Sequence, residues 1–145
     1  MGIRGDSMTC TFFGHRDTPT EIYEKLKETI VYLINEKNVT MFYVGNNGAF
    51  DRMAKKILQK MKNTYNINYY VVLAYIPKKD NGTDYSDTIY YDKLHTVPYK
   101  FRIIKRNKLM IKKSDYVITY AKHIGNAREL QTHAERQGKI VINLA

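Results

Sequence analysis

The feature that most constrains this chain is a unit that recurs along it: a short apolar run, a polar loop holding glycine, then apolar residues at helical spacing. The first copy is Met8 to Asp17, MTCTFFGHRD, where β-branched, aromatic and sulfur-bearing residues run into Gly14-His15-Arg16-Asp17. Thr18, Pro19 and Glu21 supply an N-cap, a first-turn proline and the carboxylate of a capping box. They predict a helix from Pro19 to about Glu36, with Ile22, Leu26, Ile30, Leu33 and Ile34 recurring along one side. A strand end that feeds a helix N-terminus is where α/β proteins hold phosphates and other anions.

The second copy is VTMFYV (Val39 to Val44), then Gly45-Asn46-Asn47-Gly48, then a helix carrying Phe50, Met53, Ala54, Ile57 and Met61. Ile67 to Ile76, INYYVVLAYI, has the near-continuous apolar centre of a parallel strand buried on both faces. From Pro77 to about Pro98 the regularity fails, in a tyrosine-bearing stretch too long for an ordinary connection. Its Asp80, Asn81, Asp84 and Asp87 do not make a calcium loop, because the spacing puts Gly82 at a ligand position and Tyr91 where the bidentate glutamate belongs. A third helix follows, with Phe101, Ile104, the stem of Lys108 and Ile111 assigned to its inner side. Then come a strand at Asp115 to Tyr120, the loop Ala121 to Asn126, a helix with Leu130 and Ala134 closed by Gly138, and a last strand at Lys139 to Leu144. The expectation is one doubly wound α/β domain over residues 8–145, mostly parallel, with about five strands in the order 3-2-1-4-5. Residues 1–7, MGIRGDS, read as a disordered leader or an appended remnant.

With 24 Lys plus Arg against 14 Asp plus Glu, the formal net charge is +10, which favours an anionic partner such as a nucleotide or nucleic acid. The charge is not a patch: the lysines are scattered through every helix, so a plainly solvated surface is the preferred account of them, with nucleic-acid binding the lesser one. Cys10 is the single cysteine and lies inside the first strand, a core position with no partner for an intrachain disulfide. No apolar run reaches membrane-spanning length and no hydrophobic signal region opens the chain, so a cytoplasmic protein is expected. Zinc-ligand spacing, a nucleophile elbow and a Walker lysine loop are all missing from the sequence. Neither metal nor cofactor is expected.

In the expected order, the reversal falls between the first and fourth strands and brings Gly14 to Asp17 beside Ala121 to Asn126, with Gly45 to Asp51 flanking. Gly14, Gly45, Gly48 and Gly125 either let backbone approach a phosphate or simply serve the turns. Arg16 has a planar fork for a phosphate or for a surface carboxylate. His15 reads as a ligand donor, an acid or base, or a residue that fixes the loop. Asp51 suits both the dipole of the second helix and ribose hydroxyls. Asn46, Asn47, His123 and Asn126 complete the loop set. Tyr90 and Tyr91 are expected to cover a base by stacking, from a lid over Asp84 to Tyr91.

At Arg106-Asn107-Lys108, followed by Met110, Ile111, Ser114 and Asp115, the chain resembles the SLOG superfamily. This Rossmann-like group includes the LOG cytokinin-activating phosphoribohydrolases, the DNA-processing protein DprA and the YpsA-like proteins. The segment Phe101 to Asp115 is similar to DprA's F-x4-R-N-[RK]-x2-I element, and its R-x3-M-x4-D spacing is similar to that of LOG enzymes. TFFGHRD and FYVGNNGAFDRM look closer to the small uncharacterised bacterial and phage members. The resemblance spans about Thr9 to Leu144 and implies a site for a nucleotide or nucleotide-derived ligand, with Asn107 added to it. Against the LOG pattern P-G-G-x-G-T-x-x-E this chain has AKHIGNARE from Ala121, in which Gly125 and Glu129 match and the phosphate-cradling diglycine is missing. Glu129 and Arg106 would correspond to the LOG catalytic pair. The implied roles are therefore nucleotide binding, or phosphoribohydrolase activity, or DprA-like nucleic-acid binding. Association into a homo-oligomer is also implied, as relatives often associate.

Overall fold

A computed structural model of the protein describes residues 7–77 and 82–145. Apart from Ser7, the expected leader lies outside the described residues, as do Asp80 and Asn81. Among the described residues there are six strands and four α-helices, in the order β1 (Met8–Gly14), α1 (Ile22–Lys37), β2 (Val39–Val44), α2 (Ala49–Met61), β3 (Asn68–Leu73), β4 (Thr88–Tyr90), α3 (Arg102–Lys112), β5 (Tyr116–Tyr120), α4 (Asn126–Arg136) and β6 (Ile140–Asn143). The sheet order is β4-β3-β2-β1-β5-β6, and each pairing in it is parallel.

The expected order 3-2-1-4-5 is present, with one strand added at the edge. Thr88-Ile89-Tyr90 pairs with Val71-Val72-Leu73 and covers the outer side of β3. Three residues amid turn-forming neighbours are too few for a period-two pattern to register, so this strand is invisible in the sequence.

Alternation along each strand sorts the core into two layers. Phe12, Phe42, Val71 and Ile118 face α1 and α2, together with Leu26, Ile30, Leu33, Phe50 and Ile57. Phe13, Val72 and Val117 face the other side with Met110, Ile111 and Ala134 of α3 and α4. Fully burying each large apolar side chain contributes about 1.5–3 kcal/mol, and β5, between β1 and β6, is buried along its whole length. Two threonine hydroxyls within these layers are matched: that of Thr11 donates to Tyr43 O (2.8 Å), and that of Thr119 to Gln131 Oε1 (2.6 Å).

Two local expectations are corrected. Thr18 does not cap α1: its hydroxyl and its N–H both bond His15 O, closing the β1 loop, and α1 begins only at Ile22 with no side-chain cap. The inner face of α3 is also rotated from the expected one. Arg106, Leu109, Met110 and Ile111 are buried, whereas Phe101 and Ile104 are about half exposed and Lys108 is exposed. Apolarity alone assigns an arginine to solvent, and here the loops of other elements supply what the arginine needs in order to be buried.

Candidate functional site

The C-terminal ends of β1, β2 and β5 open into one crevice of about 380 Å³, where the chain order reverses between β1 and β5. Gly14, His15, Arg16 and Asp17 line it from the β1 loop, and Gly45, Asn47 and Asp51 from the β2 loop and the first turn of α2. His123, Gly125 and Asn126 come from the β5 loop, and Arg106 and Asn107 from α3. The N-termini of α2 and α4 meet here, and neither helix has a side-chain cap. Their first-turn N–H groups carry the positive end of the helix dipole toward the crevice.

Arg106 forms the floor and is only 2 % exposed. Its Nε donates to Asn107 Oδ1 (2.9 Å), Nη1 to Asn46 Oδ1 (3.1 Å) and to Val72 O (2.9 Å), and Nη2 to Asn47 Oδ1 (2.9 Å). Four of the five guanidinium N–H groups thus end on neutral oxygens, and among the described residues no carboxylate pairs with this cation. Burial lowers its pKa, partly offset by Asp51 and by the Tyr75 and Tyr91 hydroxyls, and the group stays a cation at neutral pH. Tyr75, just beyond β3, is held by Tyr99: its ring stacks on Tyr99 at 4.2 Å and its hydroxyl donates to Tyr99 O (2.9 Å). That contact ties the turn preceding α3 to the end of β3.

Asp51 lies beside this cation, and its Oδ2 accepts the Asn47 N–H (2.9 Å). Burial pushes its carboxyl up to about 6, outweighing the Asn47 hydrogen bond and the attraction of Arg106 and Arg52. Gly45 fits between the two groups because it has no side chain. A Cβ there would sit 2.9 Å from Asp51 Oδ2 and 3.5 Å from Arg106 Cζ. Gly48 has φ +100°, and a Cβ on it would lie 2.7 Å from Arg16 Cα. Ala49 N–H donates to Arg16 O (2.8 Å), so the β1 and β2 loops are bonded to each other at the crevice rim.

Of the alternatives for His15, the structure shows loop fixing. Its Nε2 accepts from Lys122 N–H (2.9 Å) and more weakly from His123 N–H (3.4 Å), which ties the β1 loop to the β5 loop across the chain reversal. The His15 and His123 rings stack at 3.7 Å, within 3° of parallel. Desolvation, then His123, lowers the pKa of His15, consistent with a neutral ring whose Nε2 is an acceptor.

No protein-family model, curated protein or solved structure matched this chain.

The remaining expected residues lie elsewhere. Asn46 supports Arg106 from behind, and Gly48 shapes the rim without lining the cavity. Glu129 is exposed and lies outside the crevice, in a groove between α3 and α4. Tyr90 and Tyr91 do not cover the crevice. Tyr90 belongs to the edge strand β4, where its hydroxyl accepts from Arg102 Nη1 (3.1 Å). Tyr91 packs into the core layer under α3, with its hydroxyl buried and without a hydrogen-bond partner among the described residues. Of the segment expected to form a lid, Thr88 to Tyr90 has joined the sheet instead. Residues missed from sequence are Ile103 and Leu130, which give the crevice an apolar side wall; Ile103 sits one helical turn before Arg106, the spacing that would have revealed it.

Among the described residues no group of three His, Cys, Asp or Glu side chains is placed to hold a metal. Cys10 is fully buried, which raises its pKa and removes it from nucleophilic chemistry. No described helix is long and apolar enough to cross a membrane. The crevice combines a buried cation, uncapped helix ends and neutral amides with an apolar side wall, a set of groups suited to holding an anion joined to a less polar body.

Proposed function

We propose that this protein binds a nucleotide or nucleotide-derived molecule in the crevice, as a sensor or ligand-processing protein of the SLOG type. The observation that carries the reading is Arg106. Burying a cation costs several kcal/mol unless its charge is answered. Here the guanidinium's hydrogen bonds all end on neutral oxygens, the nearby Asp51 carboxyl makes no ion pair with it, and it faces a cavity that an anion can enter. The two uncapped helix N-termini add to the same positive field. A phosphate would lie against Gly45, Asn47 and Arg16, above Arg106. The ionised form of Asp51 would accept from ribose hydroxyls. Ile103 and Leu130 would take the less polar face of the ligand. The cavity falls within the size range of small-molecule sites.

Binding is favoured over hydrolysis because Glu129, the residue that the LOG resemblance would make catalytic, points to a different groove. The test is native mass spectrometry of freshly purified protein, followed by thermal-shift screening with AMP, ADP-ribose, NAD and other nucleoside monophosphates. A ligand at a hundred times its Kd stabilises by about 2.7 kcal/mol, roughly 8 °C for a domain of this size. No adduct and no shift with any of them would overturn the reading.

A further inference from the structure

The crevice continues past Asn126. Ile103, Asn107, Asn126 and Leu130 line it and also line a second cavity of about 310 Å³ between α3 and α4. That groove goes on to Ile104, Lys108, Glu129, His133 and Arg136. From Asn126 to His133 is seven residues of helix, a run of about 10 Å at 1.5 Å per residue. Added to the crevice, this is more length than one nucleoside monophosphate fills.

Its chemistry differs from that of the crevice. Ile104, 53 % exposed, and Leu130 make an apolar bed in the open. Lys108 and Arg136 are cations without an ion-pair partner among the described residues, and Glu129 is an exposed acceptor. We propose that the ligand has two parts, one nucleoside phosphate in the crevice and a second, phosphate-linked sugar or nucleoside laid along the groove between α3 and α4. This rests on the nucleotide reading above. Asn107 and Asn126, at the junction, face the linking phosphates. Ile104 and Leu130 take the flat face of the distal ring, Glu129 accepts from its sugar hydroxyls, and Lys108 and Arg136 answer the added charge. Glu129 is then a binding residue for the distal half.

AMP and ADP-ribose form a suitable pair, since the second adds one phosphate and one ribose to the first. Isothermal titration of the full chain should show ADP-ribose binding at least tenfold tighter than AMP. Ile104→Asp, at a half-exposed position the fold does not depend on, should abolish that advantage while leaving AMP affinity unchanged, and Glu129→Gln should reduce it severalfold. Equal affinity for the two ligands, or parallel loss of both in Ile104→Asp with unchanged circular dichroism, would overturn the two-part ligand and leave the crevice reading standing. Binding of neither ligand by the unaltered protein would overturn both.

Discussion

Asp51 and Arg106 share the crevice floor, and the balance between them sets how the protein responds to pH. The Asp51 carboxyl is shifted from 3.8 to about 6, so between those values the folded protein holds a proton that the unfolded chain has released. Stability from this group therefore grows as pH falls through 6 and is missing at neutral pH, where an ionised carboxylate stays buried. The span is about 3 kcal/mol. His15 acts in the opposite sense: its pKa is lowered, so its contribution is complete above about 6.5 and is lost as pH falls. Asp51→Asn keeps an acceptor for the Asn47 N–H and removes only the first effect. Urea melts from pH 7 to 5 should show the variant more stable than the parent at pH 7 and losing stability faster on acidification; identical slopes would contradict the Asp51 assignment. At Tyr91 the buried hydroxyl has no partner among the described residues. Tyr91→Phe should raise stability by about 1 kcal/mol, read as a Tm increase of roughly 3 °C, whereas a drop would reveal a partner for that hydroxyl.

Elements bring these residues together, and it is at this scale that the sequence was most and least informative. The strand, glycine loop and helix units are legible because apolar periodicity and turn residues are local, and parallel pairing then forces their loops to one edge. That logic correctly brought Gly14 to Asp17, Gly45 to Asp51 and His123 to Asn126 to the same crevice. It could not see the oxygens around Arg106, since Asn46, Asn47 and Val72 reach it from other loops and strands far along the chain. The inner face of α3 was misassigned for this reason. Tyr90 and Tyr91 were misplaced because a three-residue edge strand leaves no periodic trace. A tight element junction is the start of α2, where Gly48 at φ +100° lies against the Arg16 backbone. Gly48→Ala should cost about 1–3 kcal/mol in a urea melt, as a strained backbone conformation does. It should also weaken ligand binding, because separating the two loops opens the rim; full stability would show that the contact can relax.

Across the whole molecule, two helices on each side of a parallel sheet leave one edge of strand ends open, and the buried cation sits at that edge. The net charge of +10 adds a broad attraction for anions, while in the proposed function the anion docks closely in the crevice. Binding that depends on the crevice should keep most of its affinity at 0.5 M salt, since a buried cation is screened much less than surface lysines. Collapse of affinity over that range would point to the scattered surface charge instead. The central claim is that a nucleotide occupies the crevice, and the most direct measurement is a titration of the 15N-labelled full chain with AMP and then ADP-ribose, followed by amide chemical shifts. The account predicts perturbations concentrated at Gly14 to Asp17, Gly45 to Asp51 and His123 to Asn126. Unmoved amides in those loops, or changes confined to the outer faces of the helices, would contradict it.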